Sequence, residues 1–391
     1  MSTTIGAGEL PIPLLEMHEK IQLVREFMQD SNIDAWLIYD FRGLDPTGKA
    51  LLGELTPHSR QYALIITADD PIILIKSPIE SQKLDDLAPM LRTHNAPTQD
   101  EFMQTIKDQT RRFERIAVNL GENPQTDIIP AGRFMHLCAV VPQVKWVMGE
   151  NLMQIIHSVL SESEVASHQH AALTLTQIMK DTFSFLTDHI GSVSEKELAE
   201  FMQQQLRAED LLFVDGPMVA VDANTANPHY TPGNTVIKKN QLVMIDLWAK
   251  WDIYADITWM AFTGSKIPAE IQTVWDVIFE ARTTATAAVK PGIEARIPDD
   301  VAREVIIMAG YKGGIMHRTG HSIDSFPHGK GANLDSYEMP ESRLLLPNTL
   351  VSVEPGIYLQ GKFGVRSEID VLVTKSGHQV TTPPQEKLLC L

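Results

Sequence analysis

The sequence changes in character near residue 155, and this change predicts two domains. Before it, short apolar runs such as DAWLIYDF (34–41) and RIAVNLG (115–121) alternate with helical stretches, which is typical of an α/β domain. After it, a long helical pattern over 162–188 leads into a strand-rich region. We therefore predict an α/β domain over residues 1–156 and an α+β domain over residues 157–391.

Composition and charge exclude several functional classes. Of the 391 residues, 43% are hydrophobic and 21% are charged, which is ordinary for a globular protein with a large core. The net charge of −17 would repel nucleic acids and anionic lipids, so neither is an expected partner. Cys138 and Cys390 are too few for a disulfide scaffold or a thiolate zinc site. Without a secretory pattern or an apolar run of about 18 residues, we expect a cytoplasmic protein.

One glycine-containing segment resembles a phosphate-binding loop but lacks its chemistry. The residues from Gly43 to Lys49 fit the pattern GxxxxGK, yet Ala50 stands where a hydroxyl side chain would hold magnesium. Pro46 also removes one of the backbone N–H groups that such a loop offers to phosphate. We therefore interpret the segment as a turn-rich surface loop and do not expect nucleotide hydrolysis.

Two aspartates occupy mirrored positions in a predicted hairpin. The segment LVMIDLWAKWDIYADITWMAF (242–262) reads as two strands around a turn. Asp246 and Asp256 are equidistant from Trp251, so a turn centred there would set them opposite each other. Directly opposed side chains have Cβ atoms about 4.5–5.5 Å apart. Two carboxylates at that distance repel unless a cation lies between them.

Two glutamates repeat this arrangement further along the chain. The segments LVSVEPGIY (350–358) and FGVRSEIDVLVT (363–374) read as strands on either side of Gly361. Glu354 and Glu368 are equidistant from that glycine and are therefore predicted to face each other. Alternation along the second strand puts Arg366, Glu368 and Asp370 on one face.

Two carboxylate pairs can enclose two divalent cations about 3.5–4 Å apart. An imidazole would complete such a site, and HRTGHSIDSFPHG supplies His317, His321 and His328. This ligand set suits manganese, cobalt, iron or zinc, and the residues alone do not choose among them. The spacing also admits the alternative that these acidic residues lie on solvated strand faces. His168 and His170, on the long predicted helix, are expected to face solvent.

At these residues the chain resembles the pita-bread metallopeptidases, which include Xaa-Pro dipeptidase (prolidase), aminopeptidase P and methionine aminopeptidase. The family's ligand series of Asp, Asp, His, Glu and Glu is matched in order by Asp246, Asp256, His321, Glu354 and Glu368. The first domain resembles more loosely the creatinase-type N-terminal domain of prolidases and aminopeptidase P. The resemblance therefore implies an α/β creatinase-like N-terminal domain followed by an α+β pita-bread catalytic domain.

The resemblance also implies a mechanism with two divalent metal ions, manganese above all, with cobalt, zinc and iron as alternatives. Asp256 and Glu368 would bridge both ions, while Asp246, His321 and Glu354 complete the coordination. A hydroxide that bridges the metals would attack the scissile carbonyl, and Glu354 would be the general base.

Other residues would assist the reaction around the metals. The segment NPHYTPG (227–233) matches the family's substrate-side histidine at His229, and His328 matches a second active-site histidine of the prolyl-specific branch. Both would bind the substrate carbonyl and the developing oxyanion. Arg366 is expected to orient Asp246 or Glu368, and His317 to support the site without reacting.

The leading hypothesis is a homodimeric exopeptidase that hydrolyses the Xaa-Pro bond of dipeptides or short peptides. Two departures from the family leave proline specificity open. The aspartates are ten residues apart, one fewer than usual, and Leu247 and Trp248 follow Asp246 where the family has small residues. The alternatives are a metal-dependent small-molecule hydrolase or lyase on the same fold and a non-catalytic binding module.

Overall fold

The computed structural model of the protein describes residues 12–53, 59–83 and 91–391. The chain divides into two compact units, the first ending at His157 and the second running from Ser158 to Leu391. Within the described residues, no helix combines the length and the apolarity needed to cross a bilayer.

The first unit contains a six-stranded mixed sheet in the order β4-β3-β2-β1-β5-β6. Its central strand β1 pairs antiparallel with β2 and parallel with β5. Phe102 and Ile106 of helix α3 pack with Leu37 of β1 and Ile65 of β2 in the apolar core. The elements are α1 (Ile12–Asp30), β1 (Ala35–Phe41), α2 (Pro46–Leu52), β2 (Gln61–Thr67), β3 (Ile72–Lys76), β4 (Leu91–Asn95), α3 (Gln99–Thr110), β5 (Arg115–Val118), α4 (Ala131–Val140), β6 (Lys145–Met148) and α5 (Glu150–Ser158).

The segment from Gly43 to Lys49 is not the surface loop that the sequence predicted. Pro46 is the first residue of α2, a position that suits its fixed φ and its missing N–H. Asp45 caps the helix by accepting from the backbone N–H of Thr47 at 2.9 Å. Asn119 donates to the same carboxylate at 2.6 Å, and the cap is buried. The helix terminus is therefore satisfied by the chain's own carboxylate rather than by a phosphate.

The second unit contains two four-stranded sheets, in the orders β16-β9-β8-β7 and β10-β11-β14-β15, and the two-stranded ribbon β12-β13. Its first helix matches the long helical pattern of the sequence over 162–188. The elements are α6 (Glu162–His189), α7 (Glu195–Ala208), β7 (Met218–Val221), β8 (Leu242–Lys250), β9 (Tyr254–Phe262), α8 (Ala269–Ala288), α9 (Ile297–Met308), β10 (Ser322–Ile323), β11 (Leu350–Val353), β12 (Gly356–Leu359), β13 (Phe363–Arg366), β14 (Ile369–Val373), β15 (His378–Val380) and β16 (Leu389–Cys390).

Strand β8 separates two apolar cores of this unit. Its odd-numbered residues, such as Val243 and Ile245, pack with apolar residues of α6 and α7. Even-numbered Met244 packs on the other side, with apolar residues of α8. Because side chains alternate along a strand, Asp246 and Trp248 continue the Met244 face toward the end of β8.

His168 is buried, so the expectation that it faces solvent is wrong, whereas His170 is exposed. The ring of His168 lies between two oxygens, with Nδ1 2.7 Å from the Tyr254 carbonyl and Nε2 2.7 Å from Thr381 Oγ1. Burial lowers the pKa of His168 to about 4. A neutral ring satisfies both contacts by donating from Nδ1 and accepting at Nε2. His168 therefore ties α6 to the first residue of β9.

Candidate metal centre

The β8–β9 hairpin brings Asp246 and Asp256 to one face without setting them directly opposite each other. Asp246 pairs with Thr258, and Trp248 pairs with Asp256. The prediction of a directly opposed aspartate pair is therefore wrong. The register differs from the predicted one by two residues, an even number, so both carboxylates remain on the same face.

The difference in register has a local cause at the end of β8. Lys250 pairs with Tyr254, which centres the turn on Asp252 rather than on Trp251. On its other side, Lys250 exchanges two backbone hydrogen bonds with Leu212, with N–O distances of 2.8 and 2.9 Å. These bonds keep Lys250 in the strand, so the turn begins one residue later than the sequence symmetry suggested.

The second hairpin has the predicted register, but each predicted strand is interrupted. β12 pairs with β13, and β11 with β14, in a single register centred on Gly361. Glu354 lies between β11 and β12, and Glu368 lies between β13 and β14. Pro355, which follows Glu354, has no N–H for a ladder. The backbone N–H of Glu354 donates to the Thr319 carbonyl at 2.7 Å. This bond connects the interruption between β11 and β12 to the segment that carries His321.

His321 is held next to these glutamates by Ser352 of β11. The backbone N–H of His321 donates to Ser352 Oγ at 3.0 Å, and this hydroxyl donates to Glu354 Oε1 at 3.2 Å. The preceding residue, Gly320, passes very close to β11. A Cβ at Gly320 would lie 2.0 Å from the Ser352 carbonyl oxygen, so the close approach requires glycine.

The side chains that the sequence selected converge in the second unit. Asp256, His321 and Glu368 are buried, and each offers a ligand atom within 4.8 Å of the other two. His321 Nε2 lies 3.2 Å from Glu354 Oε1 and 4.0 Å from Asp256 Oδ2. Residues from two hairpins and from the segment before β10 therefore meet at one place.

Arg366 and Thr258 connect Asp246 to Glu368. The guanidinium of Arg366 pairs with Asp246 Oδ2 and donates from Nε to Thr258 Oγ1 at 3.1 Å. Thr258 in turn donates to Glu368 Oε2 at 2.7 Å. Arg366 was predicted from the sequence, whereas Thr258 was not. The signal was its position two residues after Asp256, which places both side chains on one strand face.

Burial and neighbouring acids raise the pKa values of Asp256 and Glu368. The pKa of Asp256 lies well above its ordinary value because the group is buried and because Glu368 and Asp246 are close. Burial, followed by the charges of Glu354 and Asp246, raises the pKa of Glu368 in the same way. The Oδ1 atoms of Asp246 and Asp256 are buried and have no hydrogen-bond partner among the described residues. Such a set of unpartnered carboxylate oxygens beside an imidazole fits divalent cations.

Glu354 differs from these carboxyl groups in its charge. Burial alone would raise its pKa, but the hydrogen bond and charge of His321, together with His317 and Arg366, lower the pKa below its ordinary value. Glu354 is therefore ionised at neutral pH. His317 has both ring nitrogens engaged, with Nε2 2.7 Å from Tyr358 Oη and Nδ1 2.6 Å from the backbone oxygen of the next residue.

His328 and His229 lie on the exposed side of the cluster. The ring of His328 is 4.3 Å from that of His321, centroid to centroid. The neighbouring His321, followed by burial, lowers the pKa of His328 to about 3. The charge of His229 contributes to this lowering, so the third imidazole is also nearby. The backbone N–H of His229 is fixed by Asn227 Oδ1 at 3.1 Å.

Asp370 is a buried carboxyl group that was not predicted to belong to the site. Its Oδ2 accepts from the backbone N–H of Asp256 at 2.8 Å. Burial raises the pKa of Asp370 well above its ordinary value. The alternation that placed Asp370 on the face of Arg366 and Glu368 was the signal that could have identified it.

Trp248 fills the space beside this cluster. It shares a strand face with Asp246 and is half-buried. Its indole Nε1 donates to the Val214 carbonyl at 3.0 Å. A Cβ at Gly216 would lie 2.4 Å from the indole ring, so the ring packs directly on the backbone at that glycine.

Solved structures with the same fold cover nearly the whole chain. The prolidase from Thermococcus sibiricus matches with a TM-score of 0.68 and 22% identity, covering 96% of this chain and 99% of that chain. The X-Pro aminopeptidase from Thermotoga maritima matches with a TM-score of 0.67 and 21% identity, covering 95% and 99%. The predicted fold class, a pita-bread catalytic domain preceded by an N-terminal domain, is confirmed.

Sequence comparison shows the family to which the chain belongs. An uncharacterised peptidase of Staphylococcus aureus is 30% identical over an alignment of 335 residues, and the match covers 83% of this chain and 89% of that protein. The sequence pattern of metallopeptidase family M24 matches residues 165–375, more than half of the chain. The chain therefore belongs to metallopeptidase family M24, whose members are metal-dependent.

Proposed function

We propose that the protein is a dinuclear-metal exopeptidase that hydrolyses the Xaa-Pro bond of dipeptides or short peptides. The observation that carries the proposal is the convergence of His321 with four carboxylates from two hairpins. His328 and His229 beside this cluster supply the groups that a peptide carbonyl would need.

Five side chains would hold the two divalent ions: Asp246, Asp256, His321, Glu354 and Glu368. Manganese is the proposed metal, with cobalt, zinc and iron as alternatives. When bound, the ions would supply Lewis acidity that polarises the scissile carbonyl and makes water acidic at neutral pH. The unpartnered Oδ1 atoms of Asp246 and Asp256 support these assignments.

Glu354 would move the proton of the attacking water. Its lowered pKa keeps it ionised, so Oε1 or Oε2 can accept a proton as the water attacks and can later deliver it to the leaving amine. Its contacts with His321 and Ser352 fix the carboxylate in one orientation. Arg366 would hold Asp246 in place during the reaction.

His328 and His229 would bind the substrate carbonyl oxygen. The pKa of His328, about 3, keeps its ring neutral at physiological pH. A neutral imidazole can donate one N–H to an oxygen on which negative charge develops. Donors that are already in position at the site lower the barrier without reorganisation.

The test is cleavage of a matched peptide set by the manganese-loaded protein. Ala-Pro, Ala-Pro-Ala and Ala-Ala are compared in one assay. Cleavage of Ala-Pro alone supports a dipeptidase, and cleavage of the tripeptide at its Ala-Pro bond supports an aminopeptidase P. Ala-Ala should remain intact. A folded, metal-loaded protein that cleaves none of these peptides would overturn the proposal.

The second candidate function is that of a metal-dependent hydrolase or lyase that acts on a small molecule. The observation that favours it is Trp248, which occupies space next to Asp256 on the strand face of Asp246. A bulky ring there reduces the room for a peptide on that side of the centre. Failure on every Xaa-Pro peptide with metal bound would make this candidate the leading one.

A further inference from the structure

Glu195 is a fully buried carboxylate outside the metal cluster, and its partners all belong to the segment that carries His229. It is the first residue of α7 and has no exposed surface. A carboxylate at a helix N-terminus is stabilised by the exposed N–H groups of the first turn. Its carboxylate oxygens, however, bond to residues 221–233, which run from the last residue of β7 into the segment before β8.

Both oxygens of Glu195 are used, and they hold the two ends of this segment. Oε1 accepts from the backbone N–H of Val221 at 3.0 Å and from Asn224 Nδ2 at 2.8 Å. Oε2 accepts from Tyr230 Oη at 2.8 Å and from the backbone N–H of Gly233 at 3.2 Å. One side chain therefore fastens residues on both sides of His229.

The neighbours of His229 depend on these bonds. Asn224 Nδ2 also donates to Tyr230 Oη at 2.9 Å, so the amide and the phenol are fixed to each other as well as to Glu195. Burial and the carboxylate of Glu195 raise the pKa of Tyr230, which keeps the phenol protonated as a donor. Tyr230 directly follows His229 in the chain, so its fixed position limits where the imidazole can lie.

We propose that Glu195 is a positioning residue that holds His229 in place for the reaction at the metal centre. This inference rests on the proposed function for its catalytic part, while its structural part concerns the segment alone. The carboxylate of Glu195 accepts four hydrogen bonds from uncharged donors. A glutamine at this position would turn an NH2 group toward one pair of donors, so at least the bond from Val221 or from Gly233 would be lost.

The chain supplies a matched control two residues away. Glu197 lies on the same first turn of α7, but among the described residues its carboxylate bonds only to Ser194, accepting from the backbone N–H at 2.8 Å and from Oγ at 2.7 Å. Glu197→Gln removes the same charge from the same turn and leaves the 221–233 segment untouched. Glu195→Asp keeps the charge and tests partial rescue.

The first readout is amide hydrogen exchange of the metal-loaded protein. Glu195→Gln is expected to accelerate exchange in the 221–235 peptide while peptides of β8, β9 and β11 keep their wild-type rates. Glu197→Gln should leave the 221–235 peptide unchanged. Wild-type exchange of that peptide in Glu195→Gln would overturn the proposal, whether or not the protein cleaves any peptide.

The second readout is a double-mutant cycle on Ala-Pro cleavage. Glu195→Gln is expected to lower kcat by about 10- to 100-fold with little change in KM, because a small displacement of a catalytic group has effects of this size. In the His229→Ala background the same change should cost less than about threefold, since the group it positions is gone. Equal losses in both backgrounds would overturn the link to His229. A wild-type protein that cleaves no Xaa-Pro peptide would instead refute the proposed function. Amide exchange in the 221–235 peptide would still decide whether Glu195 holds the 221–233 segment.

Discussion

Trp248 lies directly opposite Asp256 in the β8–β9 hairpin. The indole is held by its hydrogen bond to the Val214 carbonyl and by packing on Gly216. It therefore forms a fixed wall next to one of the carboxylates of the candidate centre. A wall of this size should restrict which substrates can approach.

Shortening this side chain should widen the substrate range. We expect Trp248→Ala to raise kcat/KM for a dipeptide with a bulky first residue, such as Leu-Pro, by about tenfold or more relative to Ala-Pro. A methylene-sized difference in an apolar pocket changes discrimination between substrates by about 1–3 kcal/mol. The measurement is the ratio of the two kcat/KM values.

The control for this change is Trp251→Ala. Trp251 lies in the hairpin turn and stacks on His170 with ring centroids 4.1 Å apart. Its loss should leave the Leu-Pro to Ala-Pro ratio unchanged. An unchanged ratio in Trp248→Ala as well would show that the indole does not limit the substrate.

Glu354→Gln should abolish turnover while the fold remains intact. The amide cannot accept the proton of the attacking water, and loss of a general base lowers kcat by about 10²–10⁴-fold. Near-ultraviolet circular dichroism and the midpoint of thermal unfolding report on the fold. The control is Glu270→Gln, which removes an exposed carboxylate paired with Lys362. Undiminished activity in Glu354→Gln would exclude Glu354 as the base.

Metal uptake should release protons. The pKa values of Asp256 and Glu368 lie well above their ordinary values, so protons compete with cations for this cluster at a higher pH than at free carboxyl groups. Cations displace these protons, so the apparent affinity for manganese should rise with pH. Calorimetric titrations in two buffers with different ionisation enthalpies measure the release, which should decrease as the pH rises. Identical heats in both buffers would contradict this prediction.

His168 should make the protein sensitive to mild acid. The pKa of His168 is lowered to about 4 in the folded protein, whereas an unfolded chain binds the same proton near pH 6.5. The unfolded state therefore gains the proton first as the pH falls. The contribution to stability is complete above about pH 6.5 and is lost toward pH 4.

The free energy of unfolding measures this loss. Between pH 7 and pH 5 the wild type should lose about 2 kcal/mol more than His168→Gln, which has no titrating ring. Urea titrations at both pH values give the difference. His170→Gln, which removes an exposed imidazole of the same helix, should follow the wild type. Parallel losses in the wild type and His168→Gln would contradict the prediction.

The sequence predicted the candidate site better than it predicted the details of register. Asp256, His321 and Glu368 were selected from their order and local motifs, and the fold brings them together. The aspartate hairpin differed because Leu212 holds Lys250 in the strand. That partner lies far from the hairpin in sequence, so hairpin symmetry alone could not reveal it.

The hydrogen-bond partners of buried polar residues were the other feature that the sequence pattern could not predict. His168 shares the buried face of α6 with Ala171 and Leu175, but the pattern could not show the Tyr254 carbonyl and the Thr381 hydroxyl that accommodate an imidazole there. Glu195 likewise appears as an ordinary acidic residue of a first helical turn. Its role depends on four donors that are 26 to 38 residues away.

The most direct test of the central claim is the number of metal ions that the cluster binds. Metal-free protein is dialysed against manganese, and bound metal per chain is measured by elemental analysis for the wild type and for Glu368→Gln. We predict two ions per chain in the wild type and fewer in the variant, because Glu368 is the proposed bridge between them. A wild type that binds none, or a variant that still binds two, would contradict the account.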